Sequence, residues 1–354
     1  MPHSNRIPVA PGNLSRRLFR RILALPVLPE CIAGLTHADA TIFMAHRFCD
    51  PETGVSGHNP QALRRVLAHL RKRRYDLTSI GEIFRRLRER EPLKRAVAFT
   101  IDDGYYEMGQ IAAPVFADFD CPVTIFVFTD FHDGKMWLWS DKIAYIFAET
   151  KRVKISTRLG KDCFHFPLED DAAREGWRTL EGHCGCASDE DRLACIDELS
   201  ATAEVEVPSR PPPRYRPLSW DEARRLEGKG ISFGPHTLTH PILSAISAEQ
   251  SEHEITGSWQ RLSTEVSRPV PIFCYPGGRF THFGDREVAT MSRMGLWGAV
   301  TGEPGNIRSA HFHGSTDRWY RVPRYMCQET IHGTLKCVSG MESLRAHRRG
   351  TVQT

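Results

Sequence analysis

Short apolar runs and amphipathic stretches alternate along this chain about seven times between residues 40 and 325, and that rhythm is what most constrains its fold. Residues 41–45, 96–101, 123–128, 231–233, 272–275 and 297–300 read as buried strands, and a last short strand is predicted near 321–325. Helices are predicted between them. One opens at Asn59-Pro60 and ends in the basic run 71–74; others cover 79–90, 110–119 and 286–294. Ser219-Trp220-Asp221-Glu222 and Ser247-Ala248-Glu249-Gln250 are capping boxes, predicting a helix that stops at Gly228 and another reaching about residue 266. Such alternation predicts an α/β fold: a parallel sheet with crossover helices, either doubly wound or closed into a barrel. Residues 134–214 break the rhythm. They are polar, end in Pro211-Pro212-Pro213, and predict an irregular insertion between two core strands.

Composition narrows the function classes. The chain of 354 residues is 40% apolar and 25% charged, ordinary values that exclude global disorder and a polytopic membrane protein. The net charge is +4, too small a field to recruit nucleic acid. No GxGxxG or GxxxxGK[ST] phosphate loop occurs. Ten scattered cysteines, two of them (Cys121 and Cys274) inside strand-like runs, predict buried free thiols in a reducing compartment. His183-Cys184-Gly185-Cys186 has metal-ligand residue types, but no second pair answers it, and it reads as a loop.

At the N-terminus, Arg16 to Arg21 precede an apolar stretch that Pro26, Pro29 and Glu30 interrupt, with no small-x-small cleavage site after it. That disfavours secretion and places the chain in the cytoplasm. Leu14, Leu18, Ile22 and Leu25 fall on one side of a helix with arginines beside them, a candidate for peripheral contact with a membrane surface. The predicted organisation is therefore a basic, amphipathic extension over 1–39, a domain over 40–340 and a basic tail over 341–354.

Three features lie just past predicted strand ends, where parallel α/β folds assemble their sites. In Thr100-Ile101-Asp102-Asp103-Gly104-Tyr105, adjacent carboxylates leave a strand in different directions. One can bind a cation while the other stays free as a base; a plain Asp-Asp-Gly turn is the alternative. In Gly234-Pro235-His236-Thr237-Leu238-Thr239-His240-Pro241, two histidines four apart can share one metal if they lie on a single helical turn. In Phe273-Cys274-Tyr275-Pro276-Gly277-Gly278, Pro and Gly expose backbone N–H groups of the kind an oxyanion hole requires, or simply form a β-turn.

Together, TIDDGY, HTLTHP and CYPGG resemble, in order and spacing, the first three motifs of the polysaccharide deacetylase family (NodB homology, carbohydrate esterase type 4). The resemblance spans residues 40–325 without the insertion. It implies a distorted (β/α) barrel of about seven parallel strands and a hydrolase that removes acetyl groups from N-acetylated sugars with a divalent metal, usually zinc. It implies Asp103, His236 and His240 as metal ligands, Asp102 as the base, and the Tyr275 N–H as an oxyanion donor. Pro276 and Gly277 would line the substrate. Many members carry an arginine where this chain has Cys274, and Arg324 is the candidate substitute. The late catalytic histidine is also missing, but Met44-Ala45-His46-Arg47-Phe48 resembles circularly permuted members that supply it from a first strand, which makes His46 the candidate acid. Trp137 and Trp139 would either stack on sugar rings at a rim or pack in a core. O-deacetylation, deformylation by the same chemistry, and a non-catalytic carbohydrate-binding relative are the alternative functions.

Overall fold

The computed structural model describes residues 38–342 apart from 169, 170, 186 and 315. Except for residues 38, 39, 341 and 342, the expected N-terminal helix and basic tail lie outside the described residues. The strands are β1 (Ala40–Ala45), β2 (Asp76–Leu77), β3 (Ala96–Ile101), β4 (Val123–Val127), β5 (Lys154–Leu159), β6 (Asp162–Pro167), β7 (Ile231–Pro235), β8 (Ile272–Cys274), β9 (Gly298–Val300) and β10 (Tyr325–Met326).

The main sheet runs β10-β1-β3-β4-β7, entirely parallel, with β2 beside the start of β3. Single main-chain links carry it round. Val270 N–H donates to Phe233 O (2.7 Å), β8 pairs with β9, and Val322 bridges Val300 in parallel just before β10 returns to β1. The result is a mixed α/β barrel, distorted because β7–β8 and β9–β10 are joined by isolated bonds and not by ladders. Alternation along the strands separates the side chains that fill the ring from those that pack outside it. Ile42, Ala98, Phe126, Ile272, Val300 and Val322 form one cluster inside the ring. Phe43, Phe99, Val123 and Ile125 face the other way, against Leu63, Val66, Leu67 and Leu70 of the helix Pro60–Lys72. Every residue of β1, β3 and β4 is buried, as both faces of a covered parallel sheet must be.

Local chemistry sets the helix starts. Ser219 and Ser247 each complete a capping box, with Glu222 and Gln250. The helix expected over 110–119 instead begins as a π-turn, Met108–Ala112, before Ala113–Ala117. Pro114 has no N–H to give the preceding turn, so the ladder is interrupted there.

The insertion is not irregular. Helices Trp139–Glu149, Asp171–Cys184 and Asp189–Ala203 and the antiparallel hairpin β5–β6 enclose a small core of Ile143, Ile146, Ile155, Leu180, Cys195, Ile196 and Leu199. Its apolar residues recur at helical spacing, but they are few enough for polar neighbours to hide the pattern. Cys184 lies in this core with its Sγ 4.0 Å from that of Cys195, and among the described residues no metal-type grouping includes His183 or Cys184.

Candidate active site

The site is built where the strands end. Asp102 still belongs to the ladder through its N–H, which donates to Ala45 O (2.9 Å). The chain then turns through two left-handed residues, Asp103 (φ 83°) and Gly104 (φ 82°). Gly104 is obligatory: a Cβ there would overlap the ring of His132, which follows β4. This turn sends the two carboxylates to different partners.

Asp103 faces His236 and His240. Its Oδ1 is 3.5 Å from the Nε2 of each ring. Metal–donor bonds of about 2.1 Å at tetrahedral angles place donors about 3.4 Å apart, so Asp103 Oδ1 stands at shared-ion spacing from each imidazole, and all three donor atoms lie within 4.8 Å of one another. The donor chemistry fits as well. His236 Nδ1 meets Cys274 O at 2.8 Å, an orientation that leaves Nε2 as the nitrogen available to a cation. Burial alone would lower His236, but Cys274 and the Asp103 carboxylate beside it more than offset that and hold it well above its usual range without a cation. Burial, and then that neighbouring charge, pushes His240 down to about 4, so the pair offers one neutral imidazole and one whose Nε2 proton a cation would replace.

The two histidines do not share a helical turn. Thr237 (φ 72°) and His240 (φ 65°) are left-handed, and Thr237 Oγ1 accepts from His240 N–H (2.9 Å). Glu254, half a helix away in sequence and buried, braces the loop. Its carboxylate accepts the N–H groups of Leu238 (2.8 Å) and Thr239 (2.9 Å) and the Thr239 hydroxyl (2.6 Å). Nothing in the sequence marked Glu254; a carboxylate on a helix reads as solvated.

Asp102 faces Arg324. Nη1 donates to Oδ1 and Nη2 to Oδ2, both at 2.7 Å. The guanidinium also donates to Thr301 O, Thr100 Oγ1 and Cys274 Sγ, so each of its five N–H groups has a partner. Burial alone would raise the Asp102 carboxyl; the Arg324 charge beside it more than offsets that and holds it below the usual carboxylate range. His46, the residue after β1, has Nε2 3.9 Å from Asp102 Oδ2 and a side chain 42% exposed.

Other sequence expectations fare differently. The Tyr275 N–H is not vacant: it donates to Val300 O over a long 3.4 Å, extending the β8–β9 pairing. Its ring is buried against Phe283, and its hydroxyl donates to Tyr320 O (3.1 Å). Pro276 is buried and Gly277 exposed; Gly277 and Gly278 both have positive φ, and a Cβ on Gly278 would collide with the backbone of Gly302. The tryptophans form no rim. Trp137 is 2% exposed, packs on Tyr145 and Tyr215, and donates its Nε1–H to Pro208 O (3.2 Å). Trp139 packs on the insertion's core with Arg192 over its face. Burying an aromatic ring of that size outweighs leaving it exposed in a polar insertion with little else to bury.

A second buried cluster adjoins the site. Arg47 Nε donates to Glu107 (2.5 Å), its guanidinium lies over the Tyr105 ring (3.8 Å), and the Tyr105 hydroxyl donates to Asp141 (2.6 Å). Burial pushes the Asp141 carboxyl up to about 7, although Arg47 and the Tyr105 hydroxyl pull it down.

The polysaccharide deacetylase family model matches residues 166–296. That segment holds His236, His240 and Tyr275, whereas His46, Asp102, Asp103 and Arg324 lie outside it. No curated protein matches the chain in sequence. Among solved structures, the chain is similar to the Streptococcus pyogenes deacetylase PplD in complex with acetate (TM-score 0.53, 18% identity, 84% of this chain and 97% of that one). It is also similar to IcaB from Ammonifex degensii (0.53, 12%, 85% and 97%) and to a polysaccharide deacetylase from Bacillus cereus (0.50, 16%, 85% and 68%). At these identities the likeness is one of fold.

Proposed function

We propose that this chain, which carries a polysaccharide deacetylase domain of the NodB-homology kind, is a metal-dependent hydrolase that removes acetyl groups from N-acetylated sugars of a glycan. The observation that carries this reading is the convergence of Asp103, His236 and His240 beside a second, separately held carboxylate, Asp102. A divalent cation on one carboxylate and two imidazoles, zinc being the natural choice, keeps coordination positions open, polarises an acyl carbonyl and acidifies water.

The chain's own groups supply the rest. Asp102, kept ionised by Arg324, takes the proton of the water that attacks the acyl carbon. Arg324 cannot deprotonate and has every donor engaged, so it fixes the carboxylate's plane without competing as an acid. His46, 3.9 Å from Asp102 and partly open to solvent, gives a proton to the nitrogen as the C–N bond breaks. Acetate and a free sugar amine leave. The Tyr275 N–H contributes to the oxyanion only if its long bond to Val300 yields. The neighbouring turn exposes Gly277, whose backbone a sugar can meet from the solvent side.

Acetate release from defined N-acetylated glycans, with metal content measured in parallel, tests the reading. Stoichiometric divalent metal, release abolished by chelation and restored by metal, and loss of both metal and release in His240→Ala are expected. A protein indifferent to metal that binds glycans without releasing acetate would overturn it. A glycan is the partner this chemistry calls for. Among the described residues no helix is long and apolar enough to cross a membrane. Peripheral membrane contact through residues 1–39, and a cytoplasmic location, belong to the same proposal and are checked by vesicle sedimentation and cell fractionation.

A further inference from the structure

The insertion grips the reaction centre at both of its ends. At its exit the backbone is stitched to the loop after Asp103: Leu218 N–H donates to Gly104 O (3.0 Å), Tyr106 N–H to Arg216 O (2.9 Å), and Tyr105 bridges Pro217. Arg214, just before, offers its carbonyl to Arg47 Nη2 (2.5 Å). At its entry, the helix Trp139–Glu149 places Asp141 in the buried cluster, with Oδ2 on the Tyr105 hydroxyl and Oδ1 3.9 Å from Arg47 Nη1.

Arg47 and Tyr105 are neighbours in sequence of the two groups the reaction needs placed. Arg47 follows His46, and Tyr105 is two residues past Asp103. Asp102 Oδ2, at 3.9 Å, is too far to hold the His46 ring by a hydrogen bond, so the position of that ring depends on the backbone that Arg47 anchors. The Arg47 guanidinium in turn lies 3.8 Å over the Tyr105 ring, which packs edge-on against Phe131 and whose hydroxyl is tied to Asp141. The carboxylate of Asp141 is therefore the outermost pin of a stack that runs Asp141, Tyr105, Arg47, His46. Asp102 and Gly104, by contrast, are tied by main-chain bonds to Ala45 and Leu218, which do not involve Asp141.

From this arrangement we propose that Asp141 is a positioning residue for the deacetylation step: acting through Tyr105 and Arg47, it holds His46 where a leaving nitrogen can reach it. The insertion is then part of the catalytic apparatus and not an appendage to it. This rests on the deacetylase reading for its readout in rate but not for its readout in structure.

The test compares Asp141→Ala, Asp141→Asn, Tyr105→Phe and the double variant Asp141→Ala/Tyr105→Phe in the full chain loaded with zinc. A misplacement of about 1 Å costs on the order of 100-fold in rate. Asp141→Ala and Tyr105→Phe should each lower kcat by about 10- to 100-fold with KM and zinc stoichiometry unchanged. The double variant should be no worse than either single one, because both break the same link. Asp141→Asn keeps an acceptor for the hydroxyl and should recover most of kcat. In histidine-labelled protein, the His46 ring resonance, assigned with His46→Asn, should move in Asp141→Ala and Tyr105→Phe and stay put in Asp141→Asn. Two results overturn the proposal: an unmoved His46 resonance in both variants, or a fall in kcat that merely tracks the folded fraction in thermal melts. If the wild type releases no acetate at all, the deacetylase reading fails, and the resonance alone decides whether Asp141 positions His46.

Discussion

Arg324 and Asp102 form a two-pronged ion pair, 222 residues apart in sequence, in which both carboxylate oxygens are held at 2.7 Å inside the barrel. Arg324→Met would leave the carboxylate buried with its largest perturbation, desolvation, unopposed. Its pKa then rises above the ordinary carboxylate value instead of lying below it. The acidic limb of the kcat/KM profile should move to higher pH, and breaking the buried pair should destabilise the fold by about 3–5 kcal/mol. In the wild type the depressed pKa means that the pair's contribution is present above the unfolded value of about 3.9 and is lost as pH falls through the lower folded value. A pH–rate profile and denaturant melts check both statements.

Cys274 is small enough to let this arginine in. Its Sγ lies 3.2 Å from Arg324 Nη2, in space that a longer side chain would fill. Cys274→Arg alone should be severely impaired, since two guanidinium groups would share one buried carboxylate. In Cys274→Arg/Arg324→Ala the new guanidinium has the old cavity. That double variant should regain activity over Arg324→Ala by about 10-fold, the size of one charge-assisted hydrogen bond. Initial rates of acetate release from the four proteins decide it.

Glu254 touches no candidate ligand directly, yet it satisfies two N–H groups and a hydroxyl in the loop between His236 and His240. Glu254→Ala should weaken metal affinity by about 10- to 100-fold, the usual effect of removing a group that orients ligands. Competition against a chromophoric chelator measures it, and added metal should restore much of the rate.

Asp141 gives a pH dependence of the opposite sign to that of Asp102. Its folded pKa, raised to about 7 chiefly by burial, exceeds the unfolded carboxylate value, so the folded state binds the proton more tightly. Its contribution to stability is full below the unfolded value and is lost as pH rises toward the folded one. Asp103, Glu107, Arg47 and Tyr105 are the charged and titratable groups acting on it. Asp141→Asn should therefore gain thermal stability relative to the wild type as pH goes from 5 to 8. Melting curves across that range check the trend.

Much of this architecture is legible in the residues themselves. The all-apolar runs at β1, β3 and β4 announce strands buried on both faces, and Ser219 and Ser247 announce their helices through hydrogen bonds that span only three residues. The positions of Asp102, Asp103, His236 and His240 just after strands could be read because a strand's end is a local event. Trp137 was ambiguous for the same reason: a ring's environment is not local, and the main core outside the barrel, with Tyr215, claimed it. The condition of a single helical turn for His236 and His240 is not what brings them together: left-handed residues at Thr237 and His240 break such a turn, and Glu254, from a different element, braces the loop through Leu238 and Thr239.

What the sequence determined by itself was the order of the barrel's main strands and helices, several of their caps, and the identity of the groups offered at the strand ends, all consequences of periodicity and short-range bonding. Only the tertiary structure decided that Arg324 meets Asp102, that Val300 engages the Tyr275 N–H, and that Asp141 reaches across to Tyr105. Those contacts join residues tens to hundreds of positions apart. Their energies exist only once the ring has closed and removed the groups from water.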